Sequence, residues 1–221
     1  VRTCRGRYQK TPEGKEMSAA QGTEEWAKER AGCATASRFS DVMAKIKVGE
    51  AVVRSKYRVQ LVTERLTGIP VVTYQNAIML RGIETEPEAR MAYEAERGVI
   101  VEEVGFVRHP AIPSCGASPD GLVGDDGMVE IKCPESTTHL TWMEAGRLPP
   151  KHVAQIQGQM AVCGRQWVDF VSYDPRFPPG LQLFVVRVKR DEAYIKDLET
   201  EVRMFLAGVD AMVERLLKRK A

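Results

Sequence analysis

The stretch Ser118-Pro119-Asp120-Gly121-Leu122-Val123-Gly124-Asp125-Asp126-Gly127-Met128-Val129-Glu130-Ile131-Lys132 constrains the fold more than any other part of the chain. It reads as two short apolar strands joined by a turn rich in glycine and aspartate, a β-hairpin. Side chains alternate faces along a strand, so Glu130 and Lys132 share one face and Val129 and Ile131 the other. Asp120, on the preceding strand, joins Glu130 and Lys132 only if the connecting loop holds an odd number of residues. A loop of Asp125-Asp126-Gly127 meets that condition, as a type I turn closed by Gly127 in the left-handed region. In that register Gly124 opposes Met128, Leu122 opposes Glu130 and Asp120 opposes Lys132, while Val123, Val129 and Ile131 point into a core.

Two carboxylates and a lysine on one face are the minimum equipment for holding a hard divalent cation and breaking a phosphodiester. Magnesium takes oxygen ligands, usually one or two carboxylates together with waters and substrate phosphate oxygens. Asp120 and Glu130 supply such carboxylates, the Ile131 carbonyl between them is a candidate third ligand, and the Lys132 ammonium can orient a nucleophile or offset transition-state charge. Pro-Asp followed by Asp/Glu-x-Lys arises by chance in roughly one chain of this length in twenty, and a surface hairpin with exposed cross-strand pairs explains the same residues.

The 221 residues suffice for a sizeable core and are most economically one domain, 17–221, preceded by a polar basic segment at 1–16. That segment reads as a flexible leader or a remnant left by cloning, with a DNA-contacting basic arm as the sharper alternative. A net charge of +2 neither supports nor excludes nucleic acid. Five cysteines with no C-x-x-C pair, and three unclustered histidines, point to reduced thiols in a cytoplasmic protein without a zinc site. No apolar run reaches membrane-spanning length and no hydrophobic signal core precedes the fold, so no membrane association is expected.

From Thr23 a short capped helix is expected, with Trp26 packing inward and Arg30 at its end; Gly32 breaks it and Thr35 caps the next. Ser37 then falls in a first helical turn, where free N–H groups favour an anion, and Arg30 can clamp the same phosphate. A helix cap plus a surface arginine is the plainer explanation. Residues 55–67 read as an amphipathic helix with Tyr57, Leu61, Val62 and Leu66 inward. Residues 76–97 are helical, with Pro87 either kinking one helix or starting another. Glu86 precedes it, and Arg90 at helical spacing makes a solvated ion pair the simple reading of both. A strand at 99–108, helices at 136–145 and 151–162, strands at 166–173 and 181–189 and a long amphipathic helix at 191–220 complete an α/β architecture with a mixed central sheet. Gln155, Gln157 and Gln159 are dense for a core-packing helix, and Gln155 is placed to face the site.

Several separated motifs then agree. Trp26-x-x-x-Arg30-x-Gly32-x-x-Thr35-Ala36-Ser37, Gly82-x-x-x-Glu86-x-x-Ala89-Arg90, Ser118-Pro119-Asp120-Gly121-Leu122, Glu130-Ile131-Lys132-Cys133-Pro134, Ala154-Gln155-Ile156-Gln157 and Tyr173-Asp174-Pro175-Arg176 resemble, in order, the phage lambda exonuclease family of viral-type recombination nucleases. The resemblance spans roughly residues 22–215. It implies a restriction-endonuclease-like core of the PD-(D/E)xK type. By it Asp120, Glu130 and the Ile131 carbonyl are metal ligands for Mg2+, with Mn2+ as substitute, and Lys132 is the catalytic lysine. Glu86 is the flanking acid, Gln155 the glutamine that helps hold the lysine, and Arg30, Ser37 and Ser118 bind the phosphate at the 5' end. The activity implied is processive 5'-3' digestion of linear double-stranded DNA by a ring-shaped homotrimer. The 3' overhang passes to a single-strand annealing protein, in a bacterial cytoplasm under phage or prophage coding. A same-fold endonuclease and a non-catalytic DNA-end binder are the alternatives. Pro87 and His152, the latter where the best-known member has an aromatic, depart from the family pattern.

Overall fold

The computed structural model describes residues 18–71 and 77–219, so the segment 1–16 lies outside the described residues. In chain order the elements are α1 (Glu24–Arg30), β1 (Ala34–Thr35), a 3-10 turn (Ala36–Arg38) running into α2 (Phe39–Met43), α3 (Val52–Thr67) and α4 (Ala77–Arg97). There follow β2 (Val101–Glu102), β3 (Val107–Arg108), β4 (Cys115–Ala117), β5 (Gly121–Val123) and β6 (Gly127–Lys132). The chain closes with α5 (Ser136–Ala145), a 3-10 turn (Pro150–His152), α6 (Val153–Cys163), β7 (Trp167–Tyr173), β8 (Leu183–Lys189) and α7 (Glu192–Lys218).

Five strands form the main sheet in the order β2-β5-β6-β7-β8, and three form a smaller one, β1-β4-β3. Only β6 and β7 are parallel in the main sheet, joined by the crossover through α5 and α6, so the sheet is mixed. A strand in a parallel pair is covered on both faces, and β6 shows it. Its odd positions, Val129 and Ile131, pack with Ala89 and Tyr93 of α4. Its even position Met128 packs with Trp142 of α5 and Ile156 and Met160 of α6. Glu130 is therefore carried on a face that a helix closes over, not on an open one. A third cluster joins α2, α3 and α7 around Phe39, Leu61 and Phe205. No described helix is long and apolar enough to cross a membrane.

Several local expectations are corrected. The hairpin pairs Gly121 with Val129, Leu122 with Met128 and Val123 with Gly127, each partner two residues away from the one expected. The loop is Gly124-Asp125-Asp126, with Gly124 rather than Gly127 in the left-handed region at φ +55°. Gly127 is a strand residue for a packing reason: a Cβ there would stand 2.2 Å from the Trp167 ring. The loop length stays odd, so the face assignment survives. Residues 99–108 are not one strand, since β2 and β3 belong to different sheets. Between them Gly105 passes under the N-terminal segment, where a Cβ would meet the Ala19 carbonyl at 2.2 Å.

Thr23 caps α1 as expected, accepting from the Trp26 N–H at 3.2 Å. Trp26 itself is half-buried, and α1 contributes nothing to the core. Thr35 makes no capping bond, so Ser37 stands in a 3-10 turn ahead of α2 instead of a first α-helical turn. Leu66 is exposed, and the inward position on α3 belongs to Glu64, which accepts from the Gly32 N–H at 2.8 Å. Pro87 sits inside one continuous α4. The described cysteines, Cys33, Cys115, Cys133 and Cys163, are all free thiols.

Candidate nuclease site

The end of β6 gathers the predicted carboxylates. Asp120 lies one residue before β5, and its Oδ2 accepts from the Ile131 N–H at 2.6 Å, which pins it beside β6 where the ladder with β5 has ended. Glu130 is only 1% exposed. Its Oε1 accepts from Lys132 Nζ in a close ion pair and from Gln155 Nε2 at 2.5 Å, and its Oε2 accepts from Gln159 Nε2 at 2.5 Å. Gln155 faces the site as expected, but it holds Glu130 rather than Lys132. The lysine is held by the carboxylate that the glutamine orients.

Electrostatics follow from putting these groups out of water. Burial, then the neighbouring Glu130 charge, pushes the Asp120 carboxyl well above its ordinary range against the pull of Lys132. Burial likewise raises Glu86, partly offset by Arg90 and Lys132. Burial alone would lower Lys132, but the Glu130 and Asp120 charges outweigh it and keep the ammonium protonated. Glu86 does form the simple helical ion pair, with Arg90 Nη2 at 3.2 Å. That pair sits close enough to the site for Glu86 to feel Lys132 and Glu130. Nearby His152 packs against Phe170 and Trp142, and burial, with Lys132 next, lowers its imidazole to about 4, so it is neutral near pH 7.

Among the described residues no group of three acids, histidines or cysteines is arranged to chelate a metal by itself. The donor set at β6 is instead the pair Asp120 and Glu130 with carboxylate charge in excess of the one ammonium. This suits a hard cation that keeps waters and borrows substrate oxygens, and it offers no soft or imidazole ligand for zinc.

A cleft of about 810 Å³ is lined by Trp26, Arg30, Thr35, Ser37 and Arg38 among others, and Trp26 bonds Ser118, two residues before Asp120. Arg30 lies with its guanidinium 4.0 Å from the centre of the Trp26 ring, and no carboxylate among the described residues pairs with it. Burial pulls its guanidinium downward from the usual value. Ser37 is exposed at the cleft, its Oγ 3.3 Å from Thr35 Oγ1. Ser118 does not line this cleft directly; its Oγ accepts from Trp26 Nε1 at 3.0 Å, at the edge of the ring whose face carries Arg30. Arg30, Ser37 and Ser118 are thus brought to one neighbourhood, and Ser118-Pro119-Asp120 joins it to the carboxylates. Gln21 braces that junction from outside, donating to the Pro119 carbonyl at 2.8 Å and the Val104 carbonyl at 2.9 Å. Sequence reading missed Gln159 and the role of Trp26. The signal available for Gln159 was its spacing of one helical turn from Gln155 on an otherwise apolar helix.

A model of the YqaJ-like viral recombinase domain matches residues 25–166, a span containing Arg30, Ser37, Glu86, Ser118, Asp120, Glu130, Lys132 and Gln155. The chain belongs to the YqaJ-like viral recombinase family. Within this family setting, LHK-Exo, an alkaline exonuclease from Laribacter hongkongensis, is 49% identical over 90% of this chain and 98% of its own, with a TM-score of 0.85. It is also known in complex with dAMP, with the same identity and coverage. A phage related exonuclease from Haemophilus somnus 129PT, 14% identical over 86% of this chain and 96% of its own at a TM-score of 0.64, shares the fold. None of the curated proteins matches the chain. The restriction-endonuclease-like mixed sheet expected from the sequence is the fold that this chain shares with these solved exonucleases.

Proposed function

We propose that the chain is a divalent-metal-dependent deoxyribonuclease that digests linear double-stranded DNA from the 5' end and leaves 3' single strands for recombination by annealing. The observation that carries this is the junction at Ser118-Pro119-Asp120: an arginine with no carboxylate partner among the described residues stands on one side and a carboxylate-lysine cluster on the other. A half-buried guanidinium stacked on an indole suits a terminal phosphate, and the adjacent cluster suits the next phosphodiester. The dAMP seen with LHK-Exo is the class of product such a reaction releases. Processive action as a ring-shaped homotrimer, and handover to a single-strand annealing protein, belong to the same reading and rest on the family resemblance.

Asp120, Glu130 and the Ile131 carbonyl would hold Mg2+, or Mn2+ in its place, and when bound the cation polarises the scissile phosphate and acidifies a water. In an extended strand a residue's N–H and C=O point to the same side, so the Ile131 N–H bonded to Asp120 directs its carbonyl toward the site as well. A water oxygen bonds to phosphorus, the bond to the 3' oxygen breaks and the leaving oxygen takes up a proton. Lys132, held protonated, offsets charge on the phosphoryl oxygens and is no general base. Digestion of linear duplex beside closed circular DNA, with and without chelator, tests the reading. Loss of linear DNA alone, only with metal, supports it; equal cutting of the circle makes the chain an endonuclease, and binding without turnover makes it an end binder.

Two further outcomes are expected. Arg30→Ala should reduce the preference for 5'-phosphate over 5'-hydroxyl ends by about 10-fold or more, the value of a charge-assisted contact pair. Equal weakening on both ends would make Arg30 a general backbone contact. The Asp120 carboxyl is raised and must lose its proton before a cation binds, so kcat/KM should climb as pH rises above the ordinary carboxylate range. Raising Mg2+ tenfold should move that rise to lower pH; a profile indifferent to metal concentration would contradict it.

A further inference from the structure

Gln155, Gln157 and Gln159 alternate along α6, and helical geometry separates them, since positions four apart share a face and the one between points away. Gln157 leaves the site: its Nε2 donates to the Lys189 carbonyl at 3.0 Å and its Oε1 accepts from the Asp191 N–H at 2.9 Å, tying α6 to the junction of β8 and α7. Gln155 and Gln159 both reach Glu130, one on each carboxylate oxygen. An ionised carboxylate only accepts, so both amide nitrogens must face it. That orientation strands Gln159 Oε1, which is buried without a hydrogen-bond partner among the described residues, in a side chain 1% exposed. A methionine or leucine would fill the same space without burying an unpaired carbonyl, which is costly. Packing therefore does not account for a glutamine here, and the Glu130 carboxylate does.

We propose that Gln159 is a positioning residue of the metal site, fixing Glu130 so that one lone pair is presented to an incoming hard divalent cation. This rests on the metal-dependent reading above. A carboxylate offers about four acceptor positions. Lys132 and Gln155 take two on Oε1, and Gln159 takes one on Oε2. The position left free is on the oxygen that Gln159 steadies. Without that amide the carboxylate keeps partners on Oε1 alone and turns about its terminal bond, so the free lone pair loses its fixed direction. Partners of ligating carboxylates act in this way, and losing one typically weakens metal affinity about 10–100-fold.

The test is calorimetric titration of the full chain with Mn2+, comparing wild type, Gln159→Leu, Gln159→Met and Gln157→Leu, with melting temperatures measured in chelator. Methionine is unbranched and adapts to irregular space, which guards against a packing fault specific to leucine. Both Gln159 variants should bind Mn2+ about 10–100-fold more weakly while melting within about 3 °C of wild type. The Mg2+ concentration for half-maximal digestion should rise by the same factor, with most of kcat recovered at saturation. Gln157→Leu should show the reverse, a lower melting temperature with unchanged Mn2+ affinity. Unchanged affinity in both Gln159 variants, with or without a fall in melting temperature, overturns the inference and leaves the metal reading standing. A wild-type chain that takes up no Mn2+ removes that reading and this inference together.

Discussion

Replacing Lys132 with alanine is expected to lower kcat on linear duplex by about 10²–10³-fold, the usual loss when one preorganised electrostatic donor is removed from a developing negative charge. Duplex affinity should stay near the wild-type value, because the interaction lost is made with the transition state and not with the ground-state DNA. The variant has a second consequence. Glu130, 1% exposed, would keep only its two glutamine amides, and a buried carboxylate stripped of its cation destabilises the fold around it. The melting temperature in chelator should therefore fall, and added Mg2+ should recover part of the loss, since a ligand that binds the native state stabilises it. Single-turnover digestion, run beside equilibrium binding to the same duplex, separates the effects. Joint loss of binding and turnover would make Lys132 a structural residue.

Asp120→Asn should move activity and stability in opposite directions. Digestion should fall at least about 10³-fold, because a neutral amide replaces a metal-binding carboxylate. Stability without metal should rise at alkaline pH. The Asp120 carboxyl is raised in the folded state, so the fold binds its proton more tightly than the unfolded chain does. Between the ordinary carboxylate range and the raised value, stability accordingly falls as pH increases, and above it the fold carries the full cost of an ionised Asp120 beside Glu130. Asparagine never ionises, and its carbonyl can still accept from the Ile131 N–H. Wild type and variant should melt together in acid and diverge in alkali, with Mg2+ stabilising wild type alone. A lower melting temperature for the variant at alkaline pH would show that the charge at Asp120 supports the fold rather than strains it.

What could be read from the sequence divides along a physical line. The shared face of Asp120, Glu130 and Lys132 depended only on strand alternation and an odd loop, and both held although the register moved. The register itself turned on which glycine served the turn. Gly127 was assigned a left-handed conformation, but it is needed flat against Trp167, a contact made across the sheet by a residue far along the chain. The break at Gly105 has the same origin, a non-local crossing by residues near Ala19. Helical spacing was enough to aim Gln155 at the site, yet its partner proved to be Glu130, because the choice between carboxylate and ammonium depends on how α6 seats over β6. Arg30 and Ser37 were legible as phosphate-binding types. Their link to Ser118 through the Trp26 indole was not, since it joins residues 92 apart in sequence.

The central claim is that one site anchors a 5' end and cuts beside it. A linear duplex labelled at the 5'-phosphate of one strand with a radioactive phosphorus and at the 3' end of the same strand with a fluorophore tests this most directly, with wild-type chain and Mg2+. The account predicts that the radioactive label leaves first, as a mononucleotide, while the fluorophore remains on a shortening strand. Release of the fluorophore first, or simultaneous internal fragments carrying each label, would contradict it.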